Sequence, residues 1–234
     1  MKQARRLGPR ALCVQILCEV VEHRRYLDAV LEERATQTGN DAALVQEMAY
    51  GTLRWYHQLD VIAAQFMAKP LKQKDLDLHL SLLLGLYQLR YMRVAAHAAV
   101  DETVDAVSAL GKPWAKGLVN ACLRAYLRDH QASGARADGI VARNPVARFS
   151  HPAWMIELLQ HDHPQDWEQI LNANNERAPM VLRVNLRKQS RADYLEKLRA
   201  AGIGASALAV ADSAVLLAEP LAVSALPGFA SGEV

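Results

Sequence analysis

Lysine and arginine are the residue types here with the clearest chemical use. Two stretches carry four cations each and no acid: Lys2, Arg5, Arg6 and Arg10 at the start, and Lys112, Lys116, Arg124 and Arg128 further on. Cations in acid-free runs suit phosphate oxygens, because each phosphate neutralised releases a condensed counterion. Such contacts place a protein on a nucleic acid without reading bases. If about half of the eight contacts form, log affinity falls against log salt with a slope of about −3 to −4. Arg90 and Arg93, which follow a strongly apolar stretch, extend the candidate set.

The other reactive side chains point to less. Cys13, Cys18 and Cys122 stand apart, at no metal-ligand spacing, and Cys13 and Cys122 lie on or beside apolar helical stripes. Buried thiols of this kind behave as small hydrophobes. His161-Asp-His163 is a lone pair of imidazoles in a polar turn and is expected to be solvated, so no metal site is expected. Asp75 and Asp77 sit beside Lys72 and Lys74 and read as a surface charge cluster. Trp154 and Trp167 have apolar partners at helical spacing and are expected in the core.

Elements that would hold the cations follow from periodicity. Leu80, Leu83, Leu84, Tyr87 and Tyr91 recur at helical spacing, and Leu82, Leu86, Leu89 and Met92 fill most of the remaining circumference. A helix apolar nearly all round is a buried central helix. Gly85 within it would admit a close neighbouring backbone. Val100, Thr103, Val104, Val107 and Leu110 form the stripe of a following helix. Asp101 and Glu102 are placed in its first turn, where the dipole favours acids, and Gly111 ends it. A third helix, started by Pro113, would turn Trp114, Leu118, Cys122 and Tyr126 inward and leave Lys116, Asn120, Arg124 and Arg128 on the other side. Upstream, Gly8-Pro9 opens a helix with Leu12, Ile16 and Val20 buried, and three further apolar stripes precede Lys69-Pro70. Seven helices with short loops predict a bundle over residues 1–130.

Residues 131–149 hold Ser133-Gly134, Gly139 and Asn144-Pro145 and read as a linker. Residues 150–234 read as a small α+β segment. Ser150-His151-Pro152 looks like a cap and helix start, and Met180-Val-Leu-Arg-Val-Asn185 alternates as a strand. Ser190 with Asp193 resembles a capping box, and Val215-Leu-Leu217 is a second short strand. Residues 1–150 carry 20 Lys/Arg against 15 Asp/Glu, and residues 151–234 carry 7 against 10. The first part is therefore the one suited to a polyanion. No run approaches a membrane span, no leader is read, and the sparse cysteines fit a reducing cytoplasm.

Several of these residues carry a resemblance. Gly85-Leu-Tyr-Gln-Leu-Arg-Tyr91, His97-Ala-Ala-Val100, Glu102-Thr-Val104 and Lys116-Gly-Leu-Val-Asn120 with Leu123-Arg124 resemble the NusB-type RNA-binding domain. Asn174-Asn-Glu-Arg-Ala-Pro-Met180 with Leu182-Arg-Val-Asn185, and Leu226-Pro-Gly-Phe229 with Gly232, are similar to the segment that follows that domain in the Sun/Fmu family of 16S ribosomal RNA cytosine-C5 methyltransferases. One departure is Ala95-Ala96, where the family usually has a proline pair. The resemblance implies a mainly α fold: a NusB-like bundle, then a small ferredoxin- or RRM-like α/β segment. It implies an arginine-rich start that contacts RNA, 16S ribosomal RNA as partner and S-adenosylmethionine for the family, and NusB-type bundles can dimerise.

The catalytic parts of such an enzyme are not expected in this chain. S-adenosylmethionine needs a glycine-rich turn after a strand, and Gly202-Ile-Gly204 follows a helix. Cytosine C5 methylation needs a thiolate, and Cys122 lies in the bundle. The chain is therefore expected to bind no cofactor, to be inactive alone, and to end at Gly232-Glu-Val234 about where the family's catalytic domain begins. The leading expectation is an RNA-binding N-terminal part of a methyltransferase. The alternatives are a stand-alone NusB-like factor in transcription antitermination, and a scaffold that touches no RNA.

Overall fold

Helix α6 (Leu76–Tyr91) is the axis of the molecule's larger unit. Leu78, Leu80, Leu82, Leu83, Leu84, Leu86 and Tyr87 are all buried, as are Ser81 and Gln88. Each buried leucine contributes about 1.5–3 kcal/mol. This computed structural model describes residues 7–133 and 135–234. It divides into two units, Met1–Asn175 and Glu176–Val234.

In the first unit, α1 (Pro9–Val21), α2 (Leu27–Glu33), α3 (Ala35–Thr38), α4 (Ala42–Arg54) and α5 (Tyr56–Phe66) precede the central helix. Pro9 occupies the first turn of α1, where a missing N–H costs nothing. Helices α7 (Ala96–Ala109) and α8 (Lys116–Ala132) follow. Helices α1, α4, α5, α7 and α8 all pack on α6. Gly85 makes room for a side chain rather than a backbone: a Cβ there would lie 2.7 Å from a Leu123 methyl of α8. Gly111, at φ +81°, closes α7, with its N–H bonded to Ser108 O at 3.0 Å and the Lys112 N–H to Val107 O at 3.1 Å.

Four sequence expectations change here. Helix α7 begins at Ala96, so Asp101 and Glu102 lie in its second turn and do not serve its dipole. A 3-10 turn, Pro113–Ala115, precedes α8 and throws Trp114 out of phase with it. Trp114 is 67% exposed and Leu118 38%, while Ala115, Val119, Cys122, Leu123 and Tyr126 form the buried stripe. The stretch expected as a linker is folded. It forms α9 (Ala135–Arg143) and α10 (Pro145–Phe149), with Ala137, Ala147 and Phe149 buried. Asn144 caps α10 by accepting from the Ala147 N–H at 3.3 Å. The bundle thus extends past residue 130 through α11 (Ala153–Asp162) and α12 (Trp167–Asn175), held by Phe149, Ile156 and Leu171. Trp167 meets Phe149 edge-on at 5.1 Å between ring centres. Trp154 is 66% exposed, because Ile156 is the residue that α11 buries.

The second unit holds strands β1 (Val181–Arg183), β2 (Ala205–Ala207) and β3 (Ala214–Leu217) and helix α13 (Arg191–Ala200). The sheet is antiparallel in the order β1-β3-β2, with Leu182 opposite Val215 and Ala207 opposite the same residue. Leu182, Val184, Val215 and Leu217 pack with Tyr194 and Leu198 of α13. Ser190 caps α13 by accepting from the Asp193 N–H at 3.1 Å, and its hydroxyl donates back to the Asp193 carboxylate at 2.7 Å. Strand β2, an Ala-Ser-Ala run, gave no strand signal in the sequence because none of its residues favours a strand.

Candidate nucleic-acid interface

The candidate cations sort by what already holds them. Arg5 and Arg6 lie outside the described residues. Arg10 is only 8% exposed and faces inward. Its Nε donates to Gln88 Oε1 at 3.1 Å, and its guanidinium pairs with Glu102. Gln88, fully buried, donates in turn to Thr103 Oγ1 at 3.0 Å and to Leu84 O at 3.2 Å. This chain of bonds ties α1 to α6 and α7.

Lys112 is held between Asp75, at 3.1 Å, and Asp77, with its side chain 20% exposed. Partial burial opposes its charge, yet the bonds to Asp77 and Asp75 outweigh it and raise its pKa. Arg90, 19% exposed, donates to Gln58 Oε1 at 3.2 Å and to the Tyr126 hydroxyl at 3.4 Å, and pairs with Asp138 at 2.9 Å. These two cations, like Arg10, serve the fold.

Lys116, Asn120, Arg124 and Arg128 do form one row on the outer side of α8. A facing row of acids on α7 meets part of it. Lys116 pairs with Asp105 at 2.8 Å and Arg124 with Asp101 at 3.3 Å, while Arg124 Nε donates to Asn120 at 2.8 Å. Both pairs are exposed, and exposed pairs are worth only about 0–1 kcal/mol. A phosphate can therefore displace either carboxylate at small cost. Arg128 and Arg93 are exposed and have no ion-pair partner among the described residues. Exposed Trp114 lies two residues before Lys116.

Sequence reasoning missed two buried glutamines that organise this region. Gln88 is one. Gln58, 4% exposed, is the other: its amide donates to Ala147 O at 2.9 Å, and its Oε1 accepts from Arg90 and Tyr91. A polar residue on an otherwise apolar helical stripe was the only available signal for either.

No thiol is poised for attack. Burial pushes the Cys13 thiol up despite nearby Arg10. Burial, then Asp77, pushes Cys18 to about 11. Cys122 is raised by burial and bonds Phe66 O at 3.3 Å. At pH 7.5 the folded protein should react with iodoacetamide far more slowly than glutathione does, and all three cysteines should label in denaturant. Rapid labelling of Cys122 in the native chain would contradict its burial. Among the described residues no group of three His, Cys, Asp or Glu is placed to hold a metal, and no helix is long and apolar enough to cross a membrane.

Comparison with known proteins places this arrangement. A NusB family model matches residues 8–128, more than half of the chain. The chain belongs to the NusB family. The NusB match ends at Arg128 on α8, and a second model, described as the Methyltr_RsmF/B-like ferredoxin-like domain, matches residues 151–224. Relatives named "Ribosomal RNA small subunit methyltransferase B" align along nearly all of this NusB-family chain. The Pseudomonas syringae protein is 42% identical over 97% of the chain and 50% of its own length. The Pseudomonas putida protein is 43% identical, with 97% and 52% covered. The Vibrio cholerae protein is 42% identical with the same coverage. The chain thus spans about half the length of the curated relatives it matches. The crystal structure of PH0851 shares the fold, at a TM-score of 0.63 and 13% identity over 97% of this chain and 52% of that one.

The residues present do not fit S-adenosylmethionine. Gly202, at φ +72°, closes α13, with the Ile203 N–H bonded to Leu198 O at 2.9 Å. The sheet beside it is antiparallel, so among the described residues no parallel strand leads into a glycine turn of the kind a nucleotide-type cofactor needs.

Proposed function

We propose that this chain is the RNA-binding N-terminal part of a 16S ribosomal RNA cytosine-C5 methyltransferase. It positions the ribosomal RNA for methyl transfer from S-adenosylmethionine bound elsewhere in the full protein. The observation that carries this reading is the alignment of 97% of the chain with half of relatives bearing that kind of name. The stand-alone antitermination factor accounts for residues 8–128 only and leaves the ferredoxin-like match unexplained. The enzyme works in the cytoplasm, where ribosomal RNA is modified.

The row on α8 supplies the grip: Lys116, Arg124 and Arg128, with Arg93 and the arginines Arg5 and Arg6 as further contacts. Lys112, Arg90 and Arg10 hold the bundle that presents it. Fluorescence anisotropy with a small-subunit RNA fragment, over a salt series, tests the assignment. Converting Lys116, Arg124 and Arg128 to alanine together should weaken binding and make the log–log slope shallower by about 2, at roughly 0.7 per contact for a single strand. Unchanged affinity and slope would leave the α7–α8 face as a scaffold only.

A further inference from the structure

Beyond the α8 row, the larger unit holds an open cavity of mixed polar and apolar lining at the α4–α5 junction. It has a volume of about 390 Å³ and is lined by Tyr50, Arg54, His57, Ser150, His151 and Asn174, among others. Its floor is built with care. Ser150 adopts the left-handed region at φ +53°, uncommon for a residue with a Cβ. That conformation brings its hydroxyl between two helix ends. The hydroxyl donates to Arg54 O, at the end of α4, at 3.1 Å, and accepts from the Gln58 N–H, in the first turn of α5, at 3.3 Å. One side chain thereby satisfies two backbone groups that helix ends leave open. His151 is 5% exposed; its Nδ1 lies 2.6 Å from Phe149 O and its Nε2 2.7 Å from Asn174 Nδ2. Asn175 Nδ2 donates to the same Phe149 carbonyl at 2.6 Å.

The charges around this cavity are unevenly committed. Asp28 accepts from the Tyr50 hydroxyl, Glu47 from the Tyr87 hydroxyl at 2.7 Å, and Asp60 lies 3.1 Å from His79 Nε2. The Arg54 side chain, partly buried in the wall, makes no hydrogen bond or ion pair among the described residues, and its charge acts on the nearby Tyr87 hydroxyl. This is the reverse of Lys112 and Arg10, whose charges are met within the fold. Burial lowers the His57 pKa, with Asp60 opposing and His151 adding to the effect, so at neutral pH Arg54 is the cation that the cavity offers. A partly desolvated guanidinium beside amide and imidazole groups suits a phosphate oxygen, with the fork geometry for two bonds.

We infer that this cavity takes a backbone phosphate of the bound RNA, with Arg54 as its partner and His57 beside it. The inference rests on the RNA-binding reading above and adds a contact point on the α4–α5 side of the bundle. The test uses the full chain and a single-stranded oligoribonucleotide. Arg54→Gln should weaken binding about tenfold and make the salt slope shallower by about 0.7. Arg54→Lys should keep most of the slope. Arg24→Gln, which removes an exposed cation elsewhere, should change neither as much. In NMR titrations the His57 pKa should rise when the oligonucleotide binds, as a nearby anion favours the imidazolium. Three outcomes overturn the assignment: Arg54→Gln binding as the wild type does, Arg24→Gln losing as much as Arg54→Gln, or inorganic phosphate moving His57 while RNA does not. The last would make the cavity a free-anion site. No RNA binding by the wild-type chain would sink the parent reading, whereas binding indifferent to Arg54→Gln sinks the cavity alone.

Discussion

Arg10→Ala should lower stability by about 3 kcal/mol, even though arginine-rich chain starts are read first as nucleic-acid arms. The salt bridge to Glu102 is the smaller part, because Glu102 is half exposed. The larger part is Gln88. Its Oε1 accepts from Arg10 in a site with no solvent exposure, and an orphaned buried acceptor costs about 1–3 kcal/mol. Loss of the packed arginine stem adds about 1 kcal/mol. For a protein of this size each kcal/mol lowers the melting temperature by about 2–4 °C, so a drop of roughly 6–12 °C is expected by circular dichroism. The RNA salt slope of the variant, measured well below its melting point, should match the wild type. A variant that melts like the wild type and binds RNA with a slope shallower by one contact would return Arg10 to the interface.

Gly51→Ala should be more damaging still, at about 4 kcal/mol. A Cβ on Gly51 of α4 would stand 1.8 Å from Tyr87 Cζ and 2.0 Å from its hydroxyl oxygen. The ring cannot swing aside easily. It is 4% exposed, stacks near Tyr91 at 5.7 Å, and donates to Glu47 at 2.7 Å. Overpacking costs about 1–3 kcal/mol, and the lost hydrogen bond to a carboxylate adds about 1.5–3 kcal/mol. Against this stands the gain in helix propensity, about 1 kcal/mol for Gly to Ala. Gly117 on α8 isolates that gain, since nothing lies within 4 Å of its added Cβ. Gly117→Ala should therefore raise the midpoint of denaturant unfolding while Gly51→Ala lowers it steeply. Equal effects at both sites would mean that the α4–α6 crossing is looser than this packing requires.

Helices with strong apolar stripes were legible because burial in a bundle writes itself every three or four residues. The α6 stretch and the alternation around Leu182 are the clearest cases. Residues 135–149 were not legible: their helices are short, interrupted by Asn144-Pro145, and anchored by the small Ala137 and Ala147 as well as Phe149. Trp114 and Trp154 misled for the opposite reason. Each has helical-spacing partners, yet a 3-10 turn or a different buried residue sets the phase. The α8 row itself was visible, since steps of four are a property of one helix. Its pairing with Asp101 and Asp105 was not, because that depends on how α7 lies against α8. Arg54 and Ser150, separated by nearly a hundred residues, share a cavity that no local pattern announces.

The Ser150 hydroxyl and the Gln58 amide bear on how this protein can be divided. Both reach from the early helices to the segment after residue 144, bonding Arg54 O, the Gln58 N–H and Ala147 O. A fragment stopped at residue 130, the natural-looking end of the bundle, would leave those groups open on its flank and bare the apolar surface that Ala137 and Val141 cover. Excision through Asn175 keeps α9 and α10 on the early helices, together with the α11–α12 pair that packs on α10.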